Sequence, residues 1–178
     1  MRQVLCVTAL ALMLLPALAI GADFPLTDKN TTVTFIGSKV DGKHEGGFKA
    51  VSGTASVQNN DPATLKVTLD IDMNSLYSDN EKLTGHLKSP DFFGVKSNPK
   101  SKFVSTKVEK SADGYSITGD LTMIGKTKSI TFPAQVATSV AGLTVASTFT
   151  IDRTQWGMTY GQGKINNDVK VMIHVKAK

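Results

Sequence analysis

The sequence predicts an all-β domain of eight antiparallel strands, with one short helical connector between the third and fourth, and three observations predict it. Apolar residues recur with period two rather than 3.6 along most of the chain beyond residue 30. Short polar or glycine-bearing segments separate the alternating stretches, as hairpin turns do. Finally, 178 residues with 40% hydrophobic and 20% charged side chains suit one folded domain rather than a disordered chain. Eight strands with one apolar and one wet face have two good solutions, a sandwich of two sheets or a barrel closed on itself. An eight-stranded barrel is just wide enough to be filled by side chains or to hold one small ligand.

The N-terminus stands apart from this pattern. Arg2 is the only charge before Asp23, Val4 to Leu15 is an apolar run, and Ala17-Leu18-Ala19 has small residues at its outer positions. These are the parts of a secretory signal peptide, with cleavage after Ala19, Gly21 or Ala22. A membrane anchor is the competing reading, but the apolar run falls short of the roughly 20 residues a spanning helix needs. The expected organisation is a signal at 1–22 and a mature domain at 23–178, exported to a periplasmic or extracellular location with no transmembrane segment in the mature chain. Cys6, the only cysteine, would leave with the signal, which removes thiol catalysis and cysteine metal sites.

In the mature chain, Val33 and Phe35 head the first strand, and Phe48 to Val57 make the second, with Gly46, Gly47 and Gly53 marking bends or bulges. The third is the cleanest: Leu65, Val67, Leu69, Ile71 and Met73 alternate with Lys66, Thr68, Asp70 and Asp72. Five more follow, at Phe103 to Val108, Tyr115 to Met123, Ser129 to Val136, Leu143 to Ile151 and Val169 to Val175. Asn59-Asn60-Asp61-Pro62, Ala112-Asp113-Gly114, Gly125-Lys126-Thr127 and Ala141-Gly142 supply the turns. Between Met73 and Phe103 period two fails. Asp79 to Leu87, with Leu83 and Leu87 at i,i+4, reads as a short helix stopped by Ser89-Pro90. Asp91-Phe92-Phe93 then follows on a second turn, and its two aromatics must be buried, either plugging one end of the barrel or covering a ligand entrance.

The charges exclude several functions. The net charge of +5 comes from lysines scattered singly along strands, with no block to neutralise a run of phosphates, so no nucleic-acid partner is expected. The same scatter argues against attachment to anionic lipid. His174 shares a strand face with Lys170, Met172 and Lys176 and is expected to face solvent. His44 and His86 lie in connectors, but no HExxH, i,i+4 pair or acid cluster accompanies them, so no metal site is expected. There is no GxSxG, GxGxxG or GxxxxGK[ST], and Asp70 and Asp72 read as surface carboxylates, so no catalytic residue is assigned.

Several segments, in order, carry a family resemblance. They are Val33-Thr34-Phe35; His44 to Phe48, followed by Gly53; His86 to Phe93; Pro99 and Phe103; Gly119-Asp120-Leu121-Thr122; Gly125 to Lys128; Ile151-Asp152-Arg153 with Trp156-Gly157; and Asp168-Val169. Together they resemble the YceI-like polyisoprenoid-binding family across essentially the whole mature chain. The chain departs from the family pattern at Gly94, where Asp is frequent, at Asn98-Pro99 in place of Tyr-Pro, and at Trp156 in place of Phe. The resemblance implies a lipocalin-like barrel, exported in bacteria, whose apolar interior holds a polyisoprenoid or similar amphiphilic lipid, an isoprenoid quinone included, with no other cofactor. Phe35, Phe48, Leu69, Ile71, Phe103, Phe149 and Ile151 are then the expected wall, with Phe92 and Phe93 near the entrance, and Trp156 is a further expected ligand contact. For the aliphatic positions, plain core packing is the competing role. His44 and His86 are candidates to orient a polar head group. Arg153 is expected to pair with Asp152 or Asp168, its alternative being a head group. A filled barrel with a protein partner, in a periplasmic interaction or stress role, is the competing functional reading, a hydrolase at the barrel mouth is a lesser one, and both monomer and homodimer remain open.

Overall fold

The computed structural model describes residues 21–178, so the body of the expected signal, residues 1–20, lies outside the described residues. Eleven strands, all paired antiparallel, form one curled sheet. In chain order they are β1 (Gly21–Thr27), β2 (Thr31–Lys39), β3 (Gly42–Phe48), β4 (Val51–Gln58), β5 (Asp61–Asp72), β6 (Leu76–Ser78), β7 (Lys100–Ser111), β8 (Gly114–Met123), β9 (Lys126–Ser139), β10 (Gly142–Asp152) and β11 (Asp168–Ala177). One helix, α1 (Glu81–Lys88), lies between β6 and β7, and short 3-10 turns follow β5 and β10. The strand order is β1-β4-β5-β7-β8-β9-β10-β11-β2-β3-β6, an open barrel whose edges are β1 and β6. The all-β antiparallel class and the helical connector are therefore as the sequence indicates.

The count of eight strands is not. The expected second strand ends one strand and begins another, because the chain crosses at Lys49-Ala50 from β3 to β4 on the far edge of the sheet. β3 shows no apolar alternation. Its inward Gly46 instead seats an aromatic ring, since a Cβ there would stand 2.5 Å from Phe35 Cζ. Gly119 does the same for Phe103, at 2.4 Å from its Cζ. β1 was hidden by Pro25 and by its closeness to the signal, yet Phe24 and Leu26 are buried in the main core. Gly21 and Ala22 belong to this strand, paired with Gln58 and Val57. β6 has only three residues, too few for a period to show.

Two features shape the barrel. The β4–β5 turn is a two-residue hairpin with Asn59 and Asn60 both at positive φ, the conformation a type I′ turn requires. β9 changes partner midway, pairing with β8 over Lys126–Ala134 and with β10 only over Gln135–Ser139. Pro133, which has no N–H to give a ladder, stands at this corner, and its carbonyl accepts from Ser147 Oγ at 2.5 Å. Beyond Ser147, β10 diverges from β9. The cluster of Trp156, Met158 and Met123, backed by Ile130 and Ile151, packs at this end of the two strands.

Candidate functional site

The inward faces of the sheet do not meet. They enclose a cavity of about 370 Å³ within the size range of small-molecule sites, lined almost wholly by apolar side chains. Midway along it Phe103, Phe132 and Phe149 form an aromatic band, with centroids 5.6 Å and 4.3 Å apart and the Phe132 and Phe149 rings nearly parallel. Nearer the mouth, Phe35, Phe48 and Phe93 form a second group, at 5.9 Å and 6.3 Å. Phe132 was read in the sequence as part of a strand but not as wall. The alternation Ile130, Phe132, Ala134 was the signal that could have placed it.

Eleven of the thirteen residues singled out from the sequence line this cavity: Phe35, His44, Phe48, Leu69, Ile71, Phe92, Phe93, Phe103, Phe149, Ile151 and Arg153. The other two lie elsewhere. Trp156, 1% exposed, is packed in the neighbouring cluster and donates from Nε1 to Leu121 O at 3.1 Å, so it supports the wall from behind. His86 sits outside the cavity lining, its Nε2 2.9 Å from Asp91 Oδ2 and its ring edge-on to Phe92 and Tyr160.

The mouth is covered by two segments. The first is α1 with the turn after it. Asn80 caps the helix by accepting from Leu83 N at 3.0 Å, and Leu83, Leu87, Phe92 and Phe93 face the cavity. Two departures from the family pattern hold this segment in shape. Gly94 adopts φ +53, and Asn98 Nδ2 donates to the carbonyls of Phe93 and Gly94, both at 3.2 Å. Asp79 ties the helix to the rim of the barrel, accepting from Glu45 N at 3.1 Å and contacting His44 Nδ1 at 2.9 Å. The Glu45 N–H first, then His44, hold the Asp79 carboxyl below its ordinary value. A folded pKa below the unfolded one stabilises the fold above the ordinary carboxylate range, and that contribution is lost as pH falls below about 4. Asp79→Asn is accordingly expected to flatten the fall in melting temperature between about pH 5 and pH 3, read by thermal melts across that range.

The second cover is residues 157–167, organised by Arg153. The guanidinium is buried, and its Nε, Nη1 and Nη2 donate to Asn166 O at 3.1 Å, Met158 O at 2.5 Å and Ile165 O at 3.3 Å. Burial lowers its pKa, and the Asp152 charge partly offsets this. The expected ion pair does not form: among the described residues no carboxylate lies within 4.0 Å of it. Asp152 is instead the N-cap of the 3-10 turn, accepting from Thr154 N at 2.9 Å and Thr154 Oγ1 at 2.6 Å, while Asp168 is exposed. Arg153→Met would strand three carbonyls, and is expected to cost about 2–3 kcal/mol and to open residues 158–166 to protease before global unfolding. Arg153→Lys, with a point charge in place of the planar fork, should recover only part of this.

A family model, the YceI-like domain, matches residues 24–177. A UPF0312 protein of Serratia proteamaculans is 33% identical over 141 residues, 76% of this chain and 72% of the relative. Protein YceI of Escherichia coli is 32% identical over the same share of each. Among solved structures, BcnA of Burkholderia cenocepacia aligns with a TM-score of 0.73 at 25% identity, covering 83% of this chain and 96% of BcnA. A polyisoprenoid binding domain from Saccharophagus degradans, implicated in plant cell wall breakdown, shares the fold with a TM-score of 0.68 at 16% identity, covering 88% and 98%. With the model spanning nearly every described residue and the curved sheet shared by these structures, the chain belongs to the YceI-like family.

Proposed function

We propose that this protein binds a polyisoprenoid or a similarly long apolar lipid, an isoprenoid quinone included, non-covalently in the barrel interior, carries or sequesters it outside the cytoplasm, and performs no chemistry on it. The observation that carries the reading is the cavity itself, whose lining takes in the buried Leu26 and Leu143, the aromatic band and the exposed Lys39 and Asn166. Burying an alkyl chain there gains roughly 0.8 kcal/mol per CH₂, so about ten buried carbons give a gross 8 kcal/mol before the costs of association. Affinity needs no charged contact, in keeping with a lining whose polar groups are mostly engaged within the protein. Support also comes from the Saccharophagus domain of the same fold, described as polyisoprenoid binding, and from the signal-like composition of residues 1–22. The test is displacement of an environment-sensitive apolar fluorophore by geranylgeraniol. Stoichiometric, saturable displacement is expected, and a failure to bind fluorophore or prenyl chain would contradict the reading.

A further inference from the structure

Lys39 and Asn166 are the exposed residues of the cavity lining, so the cavity opens where the β2–β3 hairpin, residues 157–167 and the α1 segment come together. Three seams join these segments, and they differ in kind. The hairpin and residues 157–167 are stitched by hydrogen bonds: Asn166 N donates to Ser38 O and Asn166 Nδ2 to Ser38 Oγ, both at 2.9 Å, and Ile165 bridges Lys39. The hairpin and the helical segment are stitched at Asp79, whose carboxyl holds Glu45 N and His44 and whose own N–H donates to Glu45 O at 2.9 Å. Between the helical segment and residues 157–167 no hydrogen bond or ion pair forms among the described residues. That third seam is apolar. Phe93 packs against the cluster of Trp156 and Met158, and Tyr160 sets its ring 4.8 Å from that of His86 and 5.4 Å from that of Phe92.

Arg153 fixes both ends of the loop that carries Tyr160, at Met158 and Ile165, while the backbone hydrogen bonds of residues 159–164 close within residues 157–165. Tyr160 is 46% exposed, and neither it nor His86 lines the cavity, whereas Phe92 does. A seam held by ring contacts alone opens more readily than one crossed by several hydrogen bonds. We propose that this seam is the ligand gate and Tyr160 its latch: residues 159–164 swing away from His86 and Phe92, and the apolar chain enters and leaves between them. This rests on the cavity reading above and deepens it by assigning the route of exchange. Because Tyr160 touches the cover and not the interior, it sets the rate of exchange and leaves affinity alone.

The experiment follows binding and release of the neutral fluorophore N-phenyl-1-naphthylamine by stopped flow. Tyr160→Ala is expected to raise the association and dissociation rates together, each about three- to tenfold, with affinity changed less than about twofold, and Tyr160→Phe, which keeps the ring, to behave as wild type. A second measurement locks the seam. Cys6, the only cysteine, leaves with the expected signal, so the mature His86→Cys/Tyr160→Cys protein carries two thiols. Joining them with dibromobimane is expected to slow exchange more than about tenfold relative to the same protein unjoined. Unchanged rates in both tests, or a faster release in Tyr160→Ala with an equal loss of affinity, overturn the gate and leave the cavity reading standing. Wild-type protein that never takes up the fluorophore overturns both. Melting temperatures of the variants within a few degrees of wild type establish that the effect is one of access and not of fold.

Discussion

Trp156→Ala is expected to destabilise the protein by about 3–5 kcal/mol, the range for emptying a large aromatic site from a core. The indole is 1% exposed and packed by Met123 and Met158 where β10 diverges from β9. Its Nε1–H bond to Leu121 O would also be lost. The adjoining β8–β9 turn carries Ile124 at φ 50, a conformation a β-branched side chain resists, and Ile124 packs on the same cluster. Removing the indole therefore withdraws packing from a strained turn as well. Trp156→Phe, which keeps most of the volume, should cost much less. Urea denaturation of the three proteins measures the differences.

Val171→Trp should abolish lipid binding while leaving the fold in place. Val171 is half-buried on β11, lines the cavity, and stands between Phe149 on β10 and Phe35 on β2. An indole projected from there occupies space that several carbons of a bound chain would use. At roughly 0.8 kcal/mol per CH₂, excluding three or four of them lowers affinity about a hundredfold. Because the side chain grows into open volume, the stability cost stays within the 1–3 kcal/mol typical of larger core residues. Fluorophore displacement and a thermal melt on one preparation separate the two effects. A variant that binds as wild type would place the ligand somewhere other than the barrel interior.

What the sequence made legible follows from which physical signals are local. Period-two alternation is local, so β5, with Leu65 to Ile71, and β7 to β11 were readable directly. β3 was not, because its inward face has Gly46 between His44 and Phe48, and what fills the space at Gly46 is Phe35 from the neighbouring strand. The wall was largely legible since every inward aromatic on an alternating strand must face the interior, and the interior contains the cavity. Trp156 was misplaced because its role depends on β9 and β10 parting company after Ser147, a tertiary event. Arg153 was read as one half of an ion pair and so wrongly partnered. Carbonyls have no sequence signature, and the nearest carboxylate, on Asp152, was engaged in capping its own turn.

The most direct test of lipid carriage is native mass spectrometry of the mature protein, purified without detergent, followed by organic extraction of whatever is bound. A stoichiometric excess mass that extracts as a prenyl chain or quinone, and that is absent from Val171→Trp, is the expected result. A protein of apo mass that stays apo after incubation with isoprenoid lipids would contradict it, and would shift the role of this barrel to its outer surface and a protein partner.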